Sequence, residues 1–189
     1  MTKGLTDTSE KAKALFYFVR NEIKYNMYLD KYSAEHFKAS NTLVRKEGYC
    51  VQKAVLMTAL ARAAGIPARL GFARLRNNSM PDKLREWLGS NILPFHGFTE
   101  LNIDGNWVRV TPTFDLKTCE RGRIRPIEFD GRHDAMFHPE NLDGEPHMEY
   151  LEFYGSFKDL PLERLWDTVI EHFGEFFIRP SLKSNHTGH

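Results

Sequence analysis

A domain of mixed helix and sheet is what the sequence predicts, and three observations carry it. Residues 7–25 repeat apolar side chains at helical steps, Cys50 to Ala64 is almost wholly apolar or small, and Asp104-Gly105 sits as a hairpin turn between alternating segments. With 189 residues, 41% hydrophobic and 27% charged, the chain can bury one core of ordinary size. No Pro/Gly/Ser linker divides residues 1–189, which therefore read as a single domain.

The first helix opens at "DTSE", where Asp7 or a neighbouring hydroxyl can cap and Glu10 favours the positive helix start. Ala12, Leu15, Phe16, Val19 and Ile23 then recur at three- and four-residue steps, the mark of an amphipathic helix. Residues 26–46 carry no clear period and read as a connection, with a short helix allowed inside "EHFKASNTLVRK". From Cys50 to Ala64 only Gln52, Lys53, Thr58 and Arg62 interrupt the apolar run, so this helix has little room for a solvated face and should be central. Gly65 stops it as a left-handed C-terminal residue, and "IPARLGFARL" reads as a turn leading into a strand.

Residues 74–94 read as a loop with a short helix around Lys83 to Leu88, of a length that often lines a site. In "FHGFTELNIDGNWVRVTPT" the turn pair makes Ile103 and Asn106 neighbours, which pairs Leu101 with Val108, Thr99 with Val110, and Glu100 with Arg109. One face is then apolar and the other carries an opposite-charge pair. The same register sets His96 opposite residue 113 and diagonal to residue 111. Beyond 115 the chain offers strand-like pieces, "IRPIEF" and "MEYLEFYG", a last amphipathic helix from Pro161 to Phe173, and a tail at 181–189 that reads as frayed.

A net charge of +1 and a pI near 7.8, with basic residues spread among acidic ones, argue against nucleic acid or an anionic membrane as partner. The polar "MTKGLTDTSEKAK" lacks the apolar core of a secretory signal and no run approaches the length of a membrane span, so a cytoplasmic protein is expected. There Cys50 and Cys119 are expected as free thiols.

A buried cysteine in a helix is ordinarily core. Cys50, however, stands at a helix start, where unpaired N–H groups and the positive dipole end lower a thiol's pKa and can stabilise an oxyanion; Gly48 lets the backbone come close. A thiolate needs a proton shuttle, and His96, on a strand far along the chain, is the candidate. Cys119 has neither feature. His133, Asp134, His138 and His147 match no familiar metal spacing and read as surface or structural, and no glycine-rich phosphate loop is present, so no cofactor or metal is expected. Glu100 and Trp107 read as a cross-strand charge and a packed aromatic, whereas Arg74, Arg76 and Trp87 are either substrate contacts or solvated loop residues.

Gly48-x-Cys50 leading into "ALARAAGIPAR", then "HGFTE" and "DGNWVRVTPT", resembles the transglutaminase-like superfamily, and "KAKALFYFVRNEIKYN" is similar to that family's leading helix. The resemblance spans roughly residues 8–115. It implies an α+β fold of the papain-like type, with the cysteine helix on an antiparallel sheet, and acyl transfer through an acyl-thioenzyme on an amide, peptide or protein substrate. Cys50 is the implied nucleophile and His96 the implied base and acid. The family's third residue is the aspartate of a W-x-x-x-D-P-T run, and here Thr111 stands in that place. Its hydroxyl can accept an imidazole N–H without charge; Asp115 shares its strand parity but lies beyond Pro112, so Thr111 is favoured over Asp115 as orienter. Hydrolysis is favoured over cross-linking because no accessory domain is seen. The competing class is a catalytically impaired relative kept for binding a peptide or partner protein, and a third is a structural subunit with a chance thiol.

Overall fold

The structure, a computed structural model, describes residues 2–179; the tail expected to fray at 181–189 lies outside them. Helix α1 (Thr8–Glu22) begins where the acidic cap places it: the Asp7 carboxylate accepts the Glu10 N–H at 2.9 Å. Its apolar stripe buries Ala12, Leu15, Phe16 and Val19, each side chain of Leu or Phe size contributing about 2 kcal/mol. At the other end Lys53 reaches in from a neighbouring helix and donates to the Arg20 and Ile23 carbonyls at 3.3 and 2.5 Å, which satisfies groups a helix terminus leaves orphaned.

That neighbour is α3 (Cys50–Ala63), reached through β1 (Lys24–Tyr25), a 3-10 turn at Ala34–Phe37, α2 (Ala39–Arg45) and β2 (Glu47–Gly48), which pairs in parallel with β1. The region read as connection thus holds the short helix allowed there, plus a small β-pair that no periodicity announced. α3 is buried along most of its length, and its polar residues are all engaged. Lys53 caps α1, Thr58 meets Thr99 at 3.1 Å, and Gln52 donates to the His36 carbonyl at 2.8 Å. The helix ends in a Schellman motif: Gly65, at φ +80°, donates to the Arg62 carbonyl and Ile66 to that of Ala61.

β3 (Ala68–Asn77), β4 (Ile92–Ile103), β5 (Asn106–Val110) and β6 (Met148–Phe157) form an antiparallel sheet in the order β5-β4-β3-β6. The β4–β5 register is the one the turn dictates, with Thr99 opposite Val110, Glu100 opposite Arg109 and Leu101 opposite Val108. Two expectations need correction. Strand structure extends to Asn77 and resumes at Ile92, so the 74–94 loop shrinks to a connection around α4 (Asp82–Leu88). "IRPIEF" joins no ladder; it is irregular chain held by side chains, the Ile127 carbonyl accepting from Arg20 at 2.7 Å and Phe129 bonding to Tyr17. α5 (Leu116–Gly122) precedes it, and α6 (Leu162–Phe173) with a 3-10 turn at Glu175–Phe177 closes the chain.

α3 lies across the sheet, its first turn against β4. A Cβ built on Gly97 would stand 2.9 Å from the Val51 Cα, so only glycine allows this approach. Gly97→Ala should therefore cost about 1–3 kcal/mol by forcing β4 off the helix start, read as a lower urea midpoint with unchanged m-value.

Candidate active site

Cys50 is the first residue of α3, with Tyr49 as its N-cap. The Tyr49 N–H is bonded back to the Gln52 side chain at 3.1 Å, which fixes the entry of the chain. Three backbone N–H groups, those of Gly97, Val51 and Cys50 itself, favour the thiolate at the sulfur. Gly97, the residue after His96 on β4, thus packs on the same helix start.

His96 is buried at 1% exposure. Its Nε2 lies 3.0 Å from Thr111 Oγ1, and Thr111 Oγ1 lies 2.9 Å from Thr113 Oγ1, the face the hairpin register assigns to these residues. Phe137 and Tyr150 flank the imidazole, with ring centroids 5.1 and 6.4 Å away. Asp115 is engaged elsewhere. It is the N-cap of α5, and its carboxylate accepts from the Tyr25 N–H at 2.7 Å, the Thr118 N–H at 3.0 Å and the Thr118 hydroxyl at 2.9 Å. The group that meets the histidine is therefore a neutral hydroxyl.

Burial governs the protonation states. Desolvation pushes the Cys50 thiol up to about 11, outweighing the three N–H groups and the Lys31 charge that pull it down. The expected lowering of the thiol pKa is thus opposed in the resting structure, because the helix start is itself covered. Desolvation likewise presses His96 down to about 3. At rest Cys50 is a thiol and His96 a neutral imidazole.

The cover comes from the C-terminal region. Val169 and Phe173 of α6 and Phe177 of the following turn, with Tyr25, Met27 and Tyr49, wall a slot of about 20 Å³ at Cys50. A larger cavity of about 550 Å³ shares Tyr25, Met27 and Leu93 with the slot and continues past Met80, Phe114 and Arg121. Its size is that of a small-molecule or side-chain site.

The other sequence candidates are placed apart. Cys119 is buried in α5 as a free thiol. Asp134 accepts the Arg109 N–H at 2.7 Å, His133 pairs with Asp130 at 2.6 Å, and His147 meets Ser79; among the described residues no cluster of three or more His, Cys, Asp or Glu is placed to hold a metal. Glu100 pairs with Arg69 and, at 3.6 Å, with Arg109, while Trp107 packs under the Arg69 guanidinium at 4.0 Å. Arg76 is paired with Glu149 at 2.6 Å, and Trp87 packs on Tyr28 and Phe176. Sequence reasoning missed Phe137, Tyr150, Phe177 and Lys31 at the site. Lys31 is fully buried, its ammonium bonded to the Met27, Leu29 and Phe177 carbonyls at 2.7, 2.5 and 3.2 Å.

A cysteine at the start of a buried helix, packed on an antiparallel sheet whose adjacent strand carries a histidine, makes this an α+β protein. The chain belongs to the transglutaminase-like superfamily, whose family model matches residues 1–112. No curated protein matches it. Among solved structures it is similar to a Cytophaga hutchinsonii protein described as a "Putative Cysteine Protease", at 18% identity and a TM-score of 0.40, over 77% of this chain and 42% of that one. The chain thus spans less than half the length of that protein. Among the described residues no helix is long and apolar enough to cross a membrane.

Because His96 is neutral when folded and ordinary when unfolded, the unfolded chain binds more protons between the two pKa values. Its contribution to stability is intact above about 6.5 and is lost progressively as pH falls toward about 3. Thr111→Asp should raise the His96 pKa by about 1–3 units, measured by imidazole NMR titration, and blunt that acid loss.

Proposed function

We propose that this chain is a thiol hydrolase or acyltransferase acting on an amide or peptide bond through an acyl-thioenzyme. The observation that supports the reading is the packing of the β4 segment bearing His96, at Gly97, against the first turn of the helix that Cys50 heads. The family supports it.

In this reading the His96 Nε2–H donates to Thr111 Oγ1, and the Thr111 proton goes on to Thr113. That leaves Nδ1 with the lone pair. His96 takes the Cys50 thiol proton as sulfur attacks the carbonyl carbon, and returns it to the departing amine. Since the resting pair is neutral, proton transfer accompanies attack. Thr111 orients the ring, but it cannot stabilise the imidazolium as a carboxylate would; in a serine protease triad a comparable loss costs about 10⁴ in turnover. The cavity beside the slot takes the substrate, a peptide or small amide carrying an apolar group.

The test is acylation by p-nitrophenyl acetate, followed by mapping of the acetyl group. The reading expects a thioester on Cys50 and not on Cys119, abolished in Cys50→Ser and slowed about 10²–10⁴-fold in His96→Ala. Acetyl transfer to neither cysteine overturns it.

The burial of both groups and the neutral Thr111 favour a second reading, a superfamily member kept for binding a peptide or partner protein. Thr111→Asp separates the two. If the missing carboxylate is what limits the site, this variant should be acylated at least about tenfold faster than the natural chain, in line with the size of an orienting carboxylate's effect. Acylation of the natural chain at a useful rate, little changed in the variant, favours the enzyme.

A further inference from the structure

Resting on the acyl-transfer reading, we propose that the Tyr49 hydroxyl is the side-chain donor that stabilises the oxyanion of the tetrahedral intermediate at Cys50. Among the described residues four buried side-chain polar atoms have no hydrogen-bond partner in the protein, and of their residues Tyr49 is the one that lines the Cys50 slot. A buried donor left unpaired costs stability and calls for a reason. An oxygen that arrives only during the reaction is such a reason.

The slot has the right scale. At about 20 Å³ it holds one oxygen-sized group, as a single water needs about 10–15 Å³. Of the residues that line it, Tyr25 and Tyr49 are the ones besides Cys50 with a polar side-chain atom, and the rest, including Phe95, Phe173 and Phe177, are apolar. A donor in such a dry enclosure acts far more strongly on a developing charge than it would in water.

Two further features prepare the donor. Burial holds the phenol well above its ordinary pKa, so it keeps the proton it must donate. The Lys31 ammonium sits 5.0 Å from the Tyr49 ring centroid, and a cation on the ring face draws electron density from the phenol and strengthens the O–H as a donor. Phe37 and Phe177 stand edge-on to the same ring, at 6.2 and 6.4 Å, and fix its plane.

In the step itself the sulfur–carbon bond forms while the carbonyl π pair moves onto oxygen, and the thiol proton passes to His96. The Tyr49 O–H and the backbone N–H groups at the helix start hold that oxygen. Collapse restores the carbonyl and expels the leaving group. Tyr49 keeps its proton throughout.

Tyr49→Phe tests this without removing packing volume, and two reactions of one sulfur separate the outcomes. Acylation by p-nitrophenyl acetate passes through an oxyanion; alkylation by iodoacetamide does not. The variant should lose about 10²–10³-fold in Cys50 acylation while its alkylation rate stays that of the natural chain. Its Tm should be unchanged or higher, since an unpaired buried hydroxyl is removed. Equal acylation rates in variant and natural chain overturn the proposal. So does equal slowing of acylation and alkylation, which would assign Tyr49 to shaping the slot. A natural chain that alkylates at Cys50 yet never acylates overturns the acyl-transfer reading itself, which that separate signature distinguishes.

Discussion

The contact on which the site depends is the bare backbone of Gly97 lying on the first turn of α3. A side chain there would hold the strand away by the thickness of a methyl group. With glycine, β4 comes close enough for the Gly97 N–H to favour the Cys50 thiolate, while the preceding residue holds its imidazole on Thr111. The contact is maintained from behind by buried pairs that tie the same elements together: Thr99 donates to the Ala54 carbonyl at 3.0 Å and meets Thr58, while Leu101 fills the core. Deep in a low-dielectric interior these hydroxyls have no competing water, so they hold the sheet to the helix at a defined height.

Once the strand is seated, solvent exclusion decides the chemistry. A helix start by itself would favour thiolate, and a thiolate–imidazolium pair would follow if the imidazolium had a carboxylate behind it. Both conditions are modified here. Val169, Phe173 and Phe177 cover the sulfur, and Thr111 replaces charge by a dipole. Desolvation of two would-be ions then exceeds what three N–H groups and a remote ammonium return, and the neutral pair is the lower state. The hydroxyl is consistent with that choice: a carboxylate at 111, fully buried beside Thr113, would itself demand a cation, which the imidazole could supply only by taking a proton.

What the sequence disclosed follows from how far each signal reaches. Asp104 and Gly105 sit at φ +50° and +89°, the two positive values a type I′ turn needs, so a local pair set a register that extends to the His96–Thr111 contact. The unbroken apolar run of α3 announced its burial, and Gly65 its end. "IRPIEF" alternates like a strand, yet its backbone is held by Arg20 and Tyr17 from more than a hundred residues earlier, and alternation alone cannot tell a ladder from such a tether. The cover was illegible for the same reason: the α6 stripe of Leu165, Val169 and Phe173 showed a face to be buried but not what lies beneath it. Thr111 could be named because it stood in a known pattern; Asp115 could be set aside only when its cap on α5 was seen.

Lys31 shows how the late segment is bound to the early one. Its N–H donates to the Ile178 carbonyl at 2.6 Å, its ammonium to that of Phe177, and its own carbonyl accepts the Trp166 indole at 2.8 Å. One residue therefore clamps α6 and the turn after it onto the loop that follows β1. A lysine can do this only if its charge is dispersed, and three carbonyls with the faces of Tyr49 and Phe177 disperse it. Even so, desolvation brings its pKa down to about 7. The clamp, the cover over the sulfur and the ring that carries the Tyr49 hydroxyl share these atoms. Any movement that admits a substrate to Cys50 past Phe177 must then pull on the Lys31 cage, which ties access to the thiol to the packing of residues 162–178.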